Sequence, residues 1–479
     1  MSKITYIGGD LIEEIGGSYK IFAKEGYEIT SGKEIIFNAK EGISYGEPQK
    51  APLISLPAKA MVYFRPVSKH GEFGFDWLRE DDNGLKDKND TAYKDIIESG
   101  YKNGRTDLTA TEAFEKLKTE YSVLHMQFPT TEGEETKPVR EYFVPYLTLF
   151  SKEYVTGEMK KKYKNLFTEP KYEAELKVLV EIEEEIDKLE FEYDKDFFDI
   201  DKKILKDKSK TNGLIPSADI SVKITCLKDL PNDMEICIYA YPKECKLPLL
   251  ERTLAGKIII LQNDERIRKE EKIVLVGVKI SVYSEDIITG IFPEEAKYKL
   301  YNVLYQSLII PCIIEDRKKI ILDLSKNKDF QKGGLYIKKA KGELQDSRFS
   351  AGENNEAIAE MKRLFMNDPK NEIYKTEDYF TIFATSFTNI NNNVGGKVEH
   401  IGIRNAILFA DCSTSAAVHE VLHGLGLYHT HRDNYPTFDS KIKYLYQRDT
   451  TTNVMSYSLH QNILWRWQWH LINPNISEK

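Results

Sequence analysis

Eleven residues, His419 to His429, constrain this chain more than any other stretch: they read HEVLHGLGLYH, and Met455 follows 26 positions later within NVMSYS. His419 and His423 are four apart, so on an α-helix their imidazoles project from one face about one turn apart, close enough to hold one metal ion. Glu420 starts on the flank between them, where a carboxylate can take a proton from water without occupying the metal. Gly424 and Gly426 frame Leu425, and glycine most readily takes the left-handed conformation that ends a helix and turns the chain. Such a turn can return His429 to the same point. Three neutral imidazoles leave the fourth position of a tetrahedral zinc open to solvent, which separates a catalytic arrangement from a closed structural one. With nine histidines and 28 glycines in 479 residues, the five fixed positions H, E, H, G and H coincide by accident in roughly one such chain in fifty thousand. An amphipathic helix with incidental histidines is therefore the poorer reading.

HExxHxxGxxH followed by a methionine turn resembles the metzincin zinc endopeptidases. The resemblance covers at most the last 180 or so residues, and in detail Cys412 to Tyr457. It implies His419, His423 and His429 as ligands of Zn2+, Glu420 as the catalytic base, and Met455 as a hydrophobic floor beneath the metal. Tyr457 matches the tyrosine that some branches place near the zinc to stabilise an oxyanion. The residue after the third histidine, which usually separates the branches, is Thr430 and fits none of the common ones, so branch and specificity stay open. His431 competes with His429 for the third ligand position, but His429 has the spacing that the glycine turn serves. The implied activity is peptide-bond hydrolysis, with a protein or peptide as substrate.

A chain of this length exceeds a single core, and several domains are expected. We expect a multidomain α+β protein: a β-rich module over residues 1–50, a mixed α/β region over 51–170, an immunoglobulin-like β-sandwich over 171–288 and a metzincin-like α/β zinc-protease domain over 289–479. The net charge of −8 with 30% charged residues points to no nucleic-acid surface. No apolar run is long enough to span a bilayer. The opening MSKITYIGGDLIEEIGG has neither a basic n-region nor a continuous apolar stretch, so no secretory signal peptide is expected. Cys226, Cys237, Cys245, Cys312 and Cys412 are an odd set without a CxxC pair, which argues against a disulfide framework or a cysteine zinc site. Buried thiols are expected, with a Cys237 to Cys245 bridge as the alternative. None has the proline and glycine context of the cysteine that keeps some metzincins latent.

Within residues 1–50, IFAKEG at Ile21 to Gly26 is echoed by IFNAKEG at Ile36 to Gly42, two similar strand and turn units. In rhythm the segment is similar to β-rich tips and cargo adaptors of bacterial contractile injection (type VI) systems; a plain β-hairpin module is the alternative. That likeness implies secretion-apparatus components as partners and leaderless export of a cytoplasmic chain, as for a secreted effector or toxin. Phe73, Phe75 and Trp77 alternate as in a half-buried strand, more simply core than a ligand-stacking surface. A polar loop is expected from Pro129 to Pro138.

Leu176, Val178, Val180 and Ile182 alternate with mostly charged residues, and Leu189, Phe191 and Tyr193 repeat the pattern. Period two with β-branched and aromatic residues indicates strands, despite the glutamate-rich composition. ISVKITCL, MEICIYAYP, GKIIILQND and KIVLVGVKISV continue the series, which supports the sandwich as a spacer or binding module. Pro293 opens a helix carrying Ala296, Leu300, Val303, Leu304 and Leu308 on one face. A second helix carries Ile358, Met361 and Phe365, strands YFTIFATSF and RNAILFAD follow, and between them TNINNNVGG is a loop that borders a cleft or a plain surface. A final helix is expected from a Ser458 cap through Leu459, Ile463, Trp467 and Leu471 to Pro474. Trp465, Trp467 and Trp469 cannot all share one helix face, so one or two are expected to seal the domain core and an exposed one to be available to substrate or a partner. Against the hydrolase stand two other classes: a structural or delivery protein of a secretion system with a vestigial protease domain, and a surface-binding protein whose sandwich does the work.

Overall fold

The computed structural model describes residues 55–80, 91–102, 105–128, 139–164, 166–244, 248–280, 288–331, 334–336, 356–375, 377–386, 395–410, 412–432, 442–457 and 461–477. The expected module at 1–50, the loop from Pro129 to Pro138, Cys245, most of TNINNNVGG, and Ser458 with Leu459 lie outside them. The description below concerns the compact unit Leu56–Lys479.

The unit is mixed α+β. Its strands form two facing sheets, a third mostly parallel sheet and two small three-stranded ones. The alternating residues behave as their period requires. Ala174, Leu176, Val178, Val180 and Ile182 are fully buried along Glu173–Ile182, and Leu189 and Phe191 are buried along Ile186–Glu192. Each such aliphatic contributes about 1.5–3 kcal/mol on leaving water, which outweighs the preference of the interleaved glutamates for a helix. The two strands enter different sheets. Glu173–Ile182 joins Ile215–Cys226 and Phe198–Ile200, whereas Ile186–Glu192 joins Met234–Pro242 and Thr253–Ile260. One apolar cluster fills the space between the sheets.

Strands from before residue 171 complete this sandwich. Ala60–Pro66 pairs antiparallel with Glu173–Ile182, placing Val62 opposite Val180, while Tyr146–Thr148 pairs with Thr253–Ile260 and Gly74–Asp76 with Tyr146–Thr148. Phe75 and Trp77 are core residues. At its other end the sandwich is shorter than expected. KIVLVGVKI, read as its last strand, is instead the central strand Lys269–Ile280 of the third sheet, flanked in parallel by Ile309–Glu315 and Tyr379–Ala384. The physical reason is visible in the residues: Ile273 to Val276 form an unbroken apolar run, all four buried. A strand covered on both faces reads that way, and such strands belong to parallel sheets.

From the central strand the third sheet continues through Tyr379–Ala384 to parallel Asn405–Leu408 and ends on antiparallel Gly396–Val398. Helix Glu294–Tyr305 buries Ala296, Leu300, Val303 and Leu304, and helix Glu356–Asn367 buries Ile358, Met361 and Phe365. Pro293 stands at the cap, one residue ahead of the helix it opens. Tyr444–Tyr446, just past the third histidine, pairs with Ile97–Lys102, so residues near position 100 pack against the far end of the chain.

The final helix begins later than expected, at Arg466, and runs to Ile472. Ile463 is held extended by a bridge to Asn453, and the amide of Leu464 donates to the Gln306 side chain at 2.8 Å. All three tryptophans are buried. Trp465 packs on Tyr93 and Tyr446 and Trp467 on Tyr444, so the short helix is enclosed on several sides and no tryptophan faces solvent. Among the described residues Cys226, Cys237 and Cys312 are free thiols, Cys226 buried and the other two partly so. Among the described residues no helix is long and apolar enough to cross a membrane.

Candidate metal centre

Helix Thr414–Gly424 carries the first two histidines. Ser413 caps it, its hydroxyl accepting from the amide of Ala416 at 3.1 Å. At the other end the amide of Gly426 donates to His423 O at 2.9 Å and that of Leu427 to Leu422 O at 3.0 Å, the paired bonds of a Schellman stop. Gly426 supplies the left-handed residue this stop needs, with φ +103°. Gly424 serves a different purpose. A Cβ there would meet the Phe380 ring at 2.3 Å, so the glycine lets the helix lie against strand Tyr379–Ala384.

The turn brings His429 back, as its spacing requires. Its Nε2 lies 2.8 Å from His419 Nε2 and 3.0 Å from His423 Nε2, and all three rings are buried. The opposite ring nitrogens are engaged by carbonyls: His419 Nδ1 lies 2.9 Å from Val454 O, and His423 Nδ1 lies 2.7 Å from Leu427 O. With Nδ1–H donating to oxygen, each Nε2 keeps its lone pair for the centre, the tautomer that metal-binding histidines use. For neutral rings, one proton on His429 Nε2 serves at most one of its two neighbours. A cation at the convergence serves all three. The donor set, three borderline-soft nitrogens, suits zinc among the common dications. The three residues form a group that can hold a metal ion.

His431 does not join the group. Its ring stacks on that of His429 at 5.0 Å between centroids and packs against Tyr457. Met455 is fully buried in a turn whose backbone ties the centre together. Val454 O orients His419, Met455 O accepts the amide of Thr430 at 3.1 Å, and Asn453 Oδ1 accepts the amide of Met455 at 2.9 Å. Asn453 in turn donates to Gln468 of the final helix at 2.6 Å, which makes that helix a buttress for the turn. Tyr457 places its hydroxyl 3.0 Å from His429 Nε2 and remains 45% exposed.

Glu420 points to edge strand Gly396–Val398. The residue is half-buried, its carboxyl end being the enclosed part, and burial pushes the acid up to about 8 against the opposing pull of Lys397 and the Val398 amide. Gly396 makes this position possible, since a Cβ there would lie 2.7 Å from Glu420 Cγ. The sequence reading missed Gly396, although paired glycines opposite a glutamate-bearing helix are a legible sign of close approach. It also missed the Val454 and Leu427 carbonyls, which no side-chain pattern encodes.

No family model, curated protein or solved structure matches this chain.

Proposed function

We propose that the chain is a zinc-dependent metalloendopeptidase of metzincin type. The observation that carries this reading is the convergence of three buried imidazole Nε2 atoms, two of them with their Nδ1 positions already engaged, on one point, with Glu420 adjacent to His419 on the same helix. His419, His423 and His429 would hold a dication there, which would supply Lewis acidity toward a water and the scissile carbonyl. Glu420 accepts a proton from the attacking water and returns it to the departing amine. Its raised affinity for a proton suits the second task, and nearby positive charge favours the carboxylate needed for the first. Tyr457 donates its hydroxyl to the developing oxyanion. Met455 and its turn fix the His419 ring and close the floor.

In this reading the sandwich is an immunoglobulin-like spacer or binding module, and the echoed motif in residues 1–50 supports delivery as a secreted bacterial effector or toxin. The test is direct. The purified chain should bind one zinc, cleave unfolded protein substrates, and lose both properties on chelation, zinc restoring them. Stoichiometric zinc with no hydrolysis of any protein or peptide would favour the vestigial-domain alternative.

A further inference from the structure

Tyr457 is the most exposed residue of the site and follows a turn rather than lying within a helix or strand. Its ring lies beside those of His419, His429 and His431 at 5.5, 4.9 and 4.8 Å between centroids. Those contacts leave part of the ring open to solvent. There the guanidinium of Arg448 sits 4.9 Å from the ring centroid, inside the range in which a cation is drawn to an aromatic face.

Arg448 is held out to that position by its backbone. Tyr444–Tyr446 is pinned to Ile97–Lys102, the amide of Gln447 donates to Ile96 O at 2.7 Å, and Thr450 Oγ1 donates to Gln447 O at 2.6 Å. Asp449 takes φ +63°, the left-handed backbone that aspartate adopts more readily than most non-glycine residues. The Arg448 side chain is itself 64% exposed, and its ion pair is a 3.9 Å approach to Asp449. Removing it opens no cavity and breaks only a weak surface pair, so packing does not explain why the turn presents it here.

We propose that Arg448 is a positioning residue that holds the Tyr457 ring against His419, His429 and His431. The role rests on the hydrolase reading for its consequence in turnover, but not for its geometry. The attraction biases the ring toward the seated position about two- to fivefold at an exposed site.

The experiment is a double-mutant cycle with a second, non-catalytic readout. Arg448→Ala should lower kcat about two- to fivefold with KM and zinc content unchanged, Arg448→Lys should restore part of the loss, and in a Tyr457→Phe background Arg448→Ala should cost nothing further. In parallel, 3-fluorotyrosine placed at position 457 should give a 19F signal that shifts when zinc is added, and Arg448→Ala should move that signal toward the free amino acid's value. The same two- to fivefold loss from Arg448→Ala in the Tyr457→Phe background, or a rise in KM alone, would assign Arg448 a role apart from Tyr457 and overturn the proposal. So would a 19F signal indifferent to Arg448. If the zinc-loaded protein cleaves nothing, the hydrolase reading fails, while the fluorine measurement still decides the clamp.

Discussion

The carbonyl of Val454 lies 2.9 Å from Nδ1 of His419, joining residues 35 positions apart in the chain. One hydrogen bond thus sets the tautomer of His419 and docks the turn around Met455 against helix Thr414–Gly424. The same turn receives the Thr430 amide from directly behind the third histidine. The histidines and Met455, far apart as a motif, form one hydrogen-bonded body.

Glu420→Gln keeps the shape of the side chain and removes its proton affinity. Zinc content should be unchanged while kcat falls about 10²- to 10⁴-fold, the range that general acid–base groups contribute. Undiminished proteolysis by that variant, with stoichiometric zinc by atomic absorption, would remove the base assignment.

His423→Ala deletes one imidazole of the proposed metal group, whose partner Leu427 O is part of the glycine turn. The variant should bind less than a tenth of the wild-type zinc at micromolar metal. For the wild-type chain, zinc at a hundred times its Kd should stabilise the fold by about 2.7 kcal/mol, and thermal melts with and without chelator measure it. A melt that ignores zinc would argue that the histidines do not bind it.

The two glycines of the stop should fail in different ways. Gly426→Ala forces a side chain onto φ +103°, at a cost of about 1–2 kcal/mol. Gly424→Ala should cost more, because its Cβ meets the Phe380 ring. Trimming that ring with Phe380→Leu should recover part of the Gly424→Ala loss and none of the Gly426→Ala loss. Urea unfolding of the four variants checks both halves.

Lys299 donates to Ser415 Oγ at 2.6 Å, and burial lowers its ammonium to about 8. Because the folded value lies below the unfolded one of 10.5, the protonated lysine destabilises the native state fully below pH 8. That penalty fades as pH rises from 8 to 10.5. Lys299→Met should therefore stabilise the chain by about 1–2 kcal/mol at pH 7, after allowance for the lost hydrogen bond, and by much less near pH 10. Equal effects at the two pH values would count against the lowered ammonium.

A fragment beginning at residue 289 contains the whole zinc motif but lacks Lys269–Ile280, the strand between Ile309–Glu315 and Tyr379–Ala384. It also lacks Ile97–Lys102, the partner of Tyr444–Tyr446. It should aggregate or melt without cooperativity, because both flanking strands expose unpaired edges. A soluble fragment with a sharp calorimetric transition and full zinc occupancy would contradict this pairing.

Much of the site was legible because its information is local. Four-residue spacing on a helix and a glycine at the stop suffice to predict which imidazoles meet. Alternation in Leu176 to Ile182 likewise identified a strand through a screen of glutamates. The final helix was misplaced because Leu459, Ile463, Trp467 and Leu471 carry helical spacing, whereas a bridge to Asn453 and the bond the Leu464 amide donates to Gln306 hold residues 463 and 464 extended. Tertiary bonds overrode the period.

The amino-acid order by itself determined the three converging histidines, the turn that returns the third, and the strands whose side chains alternate, since each depends on neighbours within about one or two turns of chain. Tertiary structure alone decided that Lys269–Ile280 centres the sheet beneath the site, that residues near 100 back the strand following His429, and that Glu420 is enclosed by Gly396. Those are pairings between segments remote in sequence. A strand's own residues state which faces are buried, but not which partner covers them.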